Sequence, residues 1–272
     1  MPDDPSRGLG DHWVNCSPDP THVSRTLLVI PSYRDSHRLA PFLRDLVTTL
    51  PGHFSILVSE DGSGDEEVAR IKGLVSEVRL TMIFGENGPA LLNPLVHEPN
   101  SGKGGAVLRG WRQGTGYDLF AFADADGAVS AREIIRAEQF MRAVSPPVDA
   151  LFASRVKMMG RTIHRSKVRH YTGRVFATLV SVVGRVPAYD TQCGFKIVTA
   201  EAFEKINPFV RSLGFAFDVE LLLLLMKTGR RVVEFPVDWR DVPGSKVKLL
   251  RDAMRMACEV FRIRRRVDAL KI

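Results

Sequence analysis

Short, uninterrupted apolar runs recur along this chain, and each is followed by a stretch with apolar residues at helical spacing. Thr26-Leu-Leu-Val-Ile30, Phe54–Ser59, Leu119-Phe-Ala-Phe-Ala123 and Ala150–Ser154 are such runs. None alternates apolar with polar, so each reads as a strand buried on both faces. Strands of this kind belong to a mostly parallel sheet covered by helices on both sides. Between the first two runs, Leu39, Phe42, Leu43, Leu46, Val47 and Leu50 recur at helical spacing and stop at Pro51-Gly52. Asp65–Ser76, Gly102–Gln113 and Ala131–Val144 read as further helices, and Val78–Phe84 and Leu95–His97 as strands. The expected fold class is α/β, Rossmann-like. Past Arg155 the pattern changes. Arg161–Val183 reads as a long, partly basic helix and Asp190–Lys196 as a polar turn entering a short strand. Phe217–Thr228 reads as an apolar helix and Arg231–Val237 as a strand.

In open parallel sheets, ligands bind outside the carboxyl ends of the strands. Here those ends carry Ser32-Tyr33, Asp61, Asp124-Ala125-Asp126-Gly127 and Ser154-Arg155. Asp124 and Asp126 present two carboxylates beside a glycine turn. Such a pair suits a hard divalent cation that also holds a diphosphate; the plainer reading is a solvated turn. Asn100-Ser-Gly-Lys103-Gly-Gly-Ala106 sets Lys103 and free backbone N–H groups at a helix start, which makes an anion site. The spacing is not that of a P-loop, and an ordinary helix-start turn is the alternative. Tyr33 offers a ring for stacking, or is an edge aromatic of the core. Asp218 and Glu220 are the candidate general bases if one is needed; otherwise they are acids favoured by a helix N-terminus.

The chain has 272 residues, and its three cysteines show neither metal spacing nor a disulfide framework. No apolar run approaches the ~18 residues of a membrane span. Residues 1–24 are rich in Pro, Asp, Ser and Gly and are expected to be a flexible lead-in without a signal peptide. The net charge is +7, and nearly all of the excess lies after residue 239. From Arg240 to the end, ten basic residues face four acids. Within 246–272, Val247, Leu250, Met254 and Phe261 fall on one helical face, and Lys248, Arg251, Arg255, Arg262 and Arg266 on another. This is the pattern of a helix lying on an anionic bilayer, or of one packed on its own domain with a solvated basic side. Nucleic acid is not an expected partner, because the basic tail lacks interleaved aromatics and no helix-turn-helix or zinc pattern occurs. The expected location is cytoplasmic, with peripheral contact to the membrane.

Pro31-Ser-Tyr33, Glu60-Asp61-Gly-Ser63, Asn100–Ala106 and Asp124–Gly127 occur in the order found in family-2 glycosyltransferases of the GT-A fold, which this chain resembles. Asp190-Thr-Gln-Cys-Gly-Phe-Lys196, Phe217-Asp-Val-Glu220 and Val237-Asp-Trp239 through Gly244-Ser-Lys246 are similar to the dolichyl-phosphate glucosyltransferase branch and to bacterial polyprenyl-phosphate sugar transferases. The resemblance implies a GT-A domain over 25–245. It also implies inverting, metal-dependent transfer of a hexose, glucose above others, from a UDP-sugar to a lipid phosphate. Pro31, Tyr33, Asp35, Asp61, Lys103, Asp124, Ala125, Arg240 and Lys246 match nucleotide-sugar positions. Asp61 would accept a uracil N–H. Asp124 and Asp126 match the positions for Mg2+ or Mn2+, and Arg155 and Arg169 those for the acceptor phosphate. A phosphate acceptor is already anionic and requires no base, whereas a hydroxyl acceptor would call on Asp218 or Glu220. Such a hydroxyl-acceptor enzyme stays open as an alternative, as does a non-catalytic binder.

Overall fold

The computed structural model describes residues 24–82, 88–156, 158–164, 188–242 and 249–272, with backbone alone at 164 and 249–255. The expected lead-in, the helix proposed after His164, Arg169, Lys246 and the 245/246 domain limit lie outside the described residues. The strands are β1 (Thr26–Ser32), β2 (Phe54–Asp61), β3 (Ala90–Leu91), β4 (Leu95–His97), β5 (Leu119–Ala123), β6 (Ala150–Ser154), β7 (Ile163–His164), β8 (Phe195–Thr199), β9 (Val232–Pro236) and β10 (Trp239–Arg240). The helices are α1 (Ser36–Thr49), α2 (Asp65–Met82), α3 (Lys103–Gln113), α4 (Ala131–Ala143), α5 (Ala200–Ile206), α6 (Phe217–Lys227) and α7 (Leu249–Ala269).

The main sheet runs β3-β2-β1-β5-β8-β6-β9, with β4 also paired to β2. Parallel register joins β1 to β2 and β5, and β6 to β9. Among the described strands of this sheet, only β8 runs backwards, antiparallel to both β5 and β6. The expected mostly parallel, doubly covered sheet is therefore present, and alternate strand residues build its two cores. Leu28 and Ile30 pack with α1, α2 and α4, while Leu27 and Val29 pack with α3, α5 and α6. Burying such runs at about 25 cal/mol per Å2 of apolar surface is the main force holding the layers.

Two expectations need correction. Val78–Phe84 is not a strand, because α2 continues to Met82. Val75 and Val78 face the core at helical spacing, while Leu80 is exposed. Ile163–His164 is not helical but pairs with Trp239–Arg240 as a small two-stranded ribbon.

Reversal of β8 has a local consequence. The carboxyl ends of β1, β2, β5, β6 and β9 share one edge of the sheet, and β8 brings its amino end to that same edge. The Gln192-Cys193-Gly194 segment is thereby delivered beside Asp124, whose N–H donates to the Gly194 carbonyl at 2.9 Å.

Candidate active site

A cleft of about 440 Å3 opens at this edge. Its chemistry is supplied by Tyr33, Arg38, Lys103, Asp124, Asp126 and Phe215, which all line it. The cleft also includes Pro31, Asp35, Asp61 and Ala125, so the structure gathers most of the positions singled out for a nucleotide sugar. Arg240 reaches the same region by backbone: its N–H donates to the Ala128 carbonyl at 3.0 Å, tying β10 to the turn after Asp126.

Lys103 is the first residue of α3, and its Nζ lies 2.8 Å from Asp124 Oδ1 and 3.7 Å from Asp218 Oδ2. Burial alone would lower its pKa; the charges of Asp124 and then Asp218 outweigh it and raise it, so the ammonium is permanent. The loop before it is fixed by Asp61. That carboxylate accepts from the Ser101 N–H and hydroxyl on one oxygen, and from the Gly102 N–H and Asn100 Nδ2 on the other, at 2.7–2.9 Å. A carboxylate has about four acceptor positions, and all four are filled. In this geometry the acceptor positions expected to meet a uracil are taken by the Asn100-Ser101-Gly102 turn, which Asp61 holds ahead of α3. Gly102 has φ +89°, and a Cβ there would sit 2.6 Å from the Leu213 carbonyl oxygen, so only glycine fits.

Asp126 accepts the Ala128 N–H at 3.0 Å. Burial first, then the neighbouring charge of Asp124, pushes its carboxyl above the usual range. A carboxylate held above its usual range beside a second one fits a site completed by a cation. No group of three or more His, Cys, Asp or Glu able to hold a metal ion occurs among the described residues. The donor set is thus one or two carboxylates with the balance from water and diphosphate, as magnesium-type ions take it.

Both candidate bases need correction. Asp218 is 1% exposed, and its Oδ1 lies 2.6 Å from the Nζ of Lys196, itself fully buried. Glu220 is fully buried and accepts the N–H groups of Arg211 and Ser212 and the guanidinium of Arg266. These acids are counterions within the core. Removing one partner of such a buried pair typically costs about 3–5 kcal/mol.

Arg155, expected at the acceptor phosphate, points its Nε and Nη2 at Asp190, at 2.6 and 2.8 Å. Burial opposes the Asp190 carboxylate's charge, but Arg155 prevails and holds its pKa down at about 2. A depressed acid pKa contributes stability that is complete above the unfolded value and fades as pH falls through the folded one. Asp190→Asn should therefore flatten the loss of stability between about pH 4 and pH 2, measured by urea unfolding across pH. An unchanged acid limb would refute the pairing.

Sequence reasoning missed Arg38 and Phe215. Arg38 is held by Asp35 at 2.5–2.7 Å and reaches towards Asp126. Its only sequence signal is an arginine in the first turn after Tyr33. Phe215, 54% exposed at the cleft, comes from the loop before α6 and carries no local signal. The Cys193 thiol, pushed up to about 12 by burial first, is inert at neutral pH.

A paired-carboxylate turn, a helix-start lysine and a cleft at the carboxyl edge of a mixed sheet define a nucleotide-sugar-dependent glycosyltransferase of the GT-A fold. The model of Glycosyl transferase family 2 matches residues 27–206, and the chain belongs to that family. Dolichyl-phosphate beta-glucosyltransferase of Saccharomyces cerevisiae is 32% identical over 256 residues, spanning 87% of this chain and 73% of that protein. The protein of the same description from Dictyostelium discoideum is 30% identical over 87% of this chain and 73% of its own length. Among solved structures, glucosyl-3-phosphoglycerate synthase from Mycobacterium tuberculosis, in complex with Mn2+, UDP and glucosyl-3-phosphoglycerate, superposes with a TM-score of 0.63. It is 13% identical and covers 92% of this chain and 82% of that one, a likeness of fold.

Proposed function

We propose that this chain transfers glucose from UDP-glucose to a dolichyl or polyprenyl phosphate, with inversion, at the cytoplasmic face of a membrane. The observation that carries the acceptor class is the engagement of the carboxylates in and under the cleft among the described residues. Asp35 is clamped to Arg38, Asp61 holds four donors, and Asp124 meets Lys103. Asp126 takes a backbone N–H, and Asp218 and Glu220 are buried counterions. None is placed as a general base for a hydroxyl, whereas a phosphate monoester attacks without one. The glucosyl donor and lipid acceptor are supported by the relatives at 30–32% identity over most of the chain.

In this reading Tyr33 and Pro31 flank the base, and the turn that Asp61 holds sets Lys103 at the phosphates. Lys103 holds Asp124 in position and adds positive charge beside the leaving diphosphate. Asp124 and Asp126 would hold a Mg2+ or Mn2+ ion, which would supply neutralisation of the charge that develops on the nucleoside diphosphate. The lipid phosphate oxygen attacks the anomeric carbon opposite the departing UDP. Arg155, Arg169, Arg240 and Lys246 are assigned to the anionic groups of acceptor and donor, as the family resemblance implies.

No helix among the described residues is long and apolar enough to cross a membrane. Helix α7 buries Val260, Ile263 and Val267 against the domain, so this seam packs it on the core. Phe261, grouped by sequence with the apolar face, is 54% exposed beside the outward Arg262 and Arg265. An exposed aromatic among arginines suits an anionic bilayer surface. The test is UDP release from UDP-glucose with Mn2+, with and without a polyprenyl phosphate in phosphatidylglycerol vesicles. Release dependent on both substrates is expected, and Phe261→Ser should weaken vesicle binding without altering release from a short, water-soluble lipid phosphate. Hydrolysis indifferent to the lipid phosphate would remove it as acceptor and favour a hydroxyl compound.

A further inference from the structure

Arg38 stands where a cation is needed and no sequence motif announces it. It sits in the first turn of α1, with its side chain 13% exposed, and lines the cleft beside Asp126. Its Nε and Nη2 are clamped by Asp35, at 2.7 and 2.5 Å. Asp35 is itself 7% exposed, so the clamp is fixed and aims the remaining guanidinium corner. That corner, Nη1, lies 3.8 Å from Asp126 Oδ2. The separation is too long for a hydrogen bond but close enough for charge attraction in a half-buried site. On the far side, Asp124 Oδ1 meets Lys103 at 2.8 Å. The two carboxylates are therefore bracketed by two protein cations, one in contact and one held back.

We propose, resting on the nucleotide-sugar reading above, that Arg38 is a displaceable cation with two roles. It balances Asp126 when no divalent ion sits there, and its Nη1 binds the donor's diphosphate when one does. The distances support the exchange. A hard cation on Asp126 brings its own positive charge within reach of Nη1 and repels it. The diphosphate oxygens that complete the ion's shell offer that N–H group a stronger, charge-assisted acceptor. The clamp by Asp35 keeps the guanidinium in the cleft throughout, so the change requires only a small shift of its free corner.

The proposal gives opposite signs for two ligands. In Arg38→Gln, binding of Mn2+ alone should tighten by about two- to fivefold, since a competing charge pair of modest strength is gone. Binding of UDP in the presence of Mn2+ should weaken by about tenfold or more, since a hydrogen bond from a charged donor is lost. Mn2+ is followed by the electron paramagnetic resonance of the free ion and UDP by calorimetry, both on the full chain, so neither depends on turnover. Arg38→Lys keeps the charge and loses the fork, so it should hold Mn2+ affinity near the wild-type value and recover UDP binding only in part. Loss of both affinities together in Arg38→Gln, or no change in either, would overturn the proposal and leave Arg38 as a prop of α1. Should the glutamine variant fail to fold, the lysine variant carries the test: Mn2+ binding that departs from wild type as far as UDP binding does would overturn it. Wild-type protein that binds neither UDP nor UDP-glucose would sink the nucleotide-sugar reading itself, an outcome distinct from wild-type binding without the split in sign.

Discussion

Asp126→Asn is expected to lower UDP-glucose turnover by about a hundredfold to a thousandfold or more, the range seen when one preorganised charge-stabilising group is removed. Its folding should be unharmed. The side-chain amide retains an oxygen for the Ala128 N–H, which Asp126 accepts at 3.0 Å. It also ends the repulsion with Asp124 that pushes the Asp126 carboxyl upward. The sign follows from linkage. A carboxyl whose pKa is raised by folding is less favourable in its charged form in the native state, so neutralising it does not cost stability at neutral pH. The two measurements are initial rates of UDP release and a thermal melt of the same preparation. Low turnover with an unaltered or slightly higher Tm supports the cation assignment. Wild-type turnover would remove Asp126 from the machinery, and a collapsed Tm would make it a structural residue.

Gly194→Ala should damage both activity and stability, which separates it from the first variant. A Cβ at this position would lie 2.1 Å from Asp124 Oδ2 and 2.5 Å from its Cγ. The requirement is close approach rather than backbone conformation, since Gly194 is not among the glycines with positive φ. To admit the methyl group, Asp124 must swing off Lys103, breaking a 2.8 Å ion pair, or the start of β8 must retreat and lose the 2.9 Å bond from the Asp124 N–H. Overpacking of this kind typically costs about 1–3 kcal/mol. Turnover should fall about a hundredfold or more, because an ångström of misplacement in a reacting site has that effect. Urea unfolding and UDP release measured together check it. Wild-type values in both would mean that Asp124 has room the structure denies.

These two residues also mark what could be read without coordinates. Asp126 stood out in the sequence because a buried strand, Leu119–Ala123, ends abruptly in a pair of acids, although a solvated turn reads the same way; the structure places both acids at the cleft. Gly194 was legible only as part of a family string; its physical reason, the side chain of Asp124 lying against it, joins segments 70 residues apart. The α2 boundary was misread because Val78, Leu80 and Met82 alternate like a strand while also continuing a helical face, and local pattern cannot choose between the two periods. The antiparallel placement of β8 left no trace in composition, since a short buried strand reads the same in either direction.

The sequence by itself determined the doubly covered sheet, the polar carboxyl edge and the family, because continuous apolar runs and the residues that end them are local properties. Only the tertiary structure decided which acids line the cleft and which are buried as counterions. Asp218 and Glu220 read in the sequence as the candidate bases, yet both are buried and paired with Lys196 and Arg266. A carboxylate's role is fixed by its burial and its partners, and those partners arrive from segments distant in the chain. Arg38 drew no notice in the sequence for the same reason: its meaning lies in the 3.8 Å between its guanidinium and Asp126.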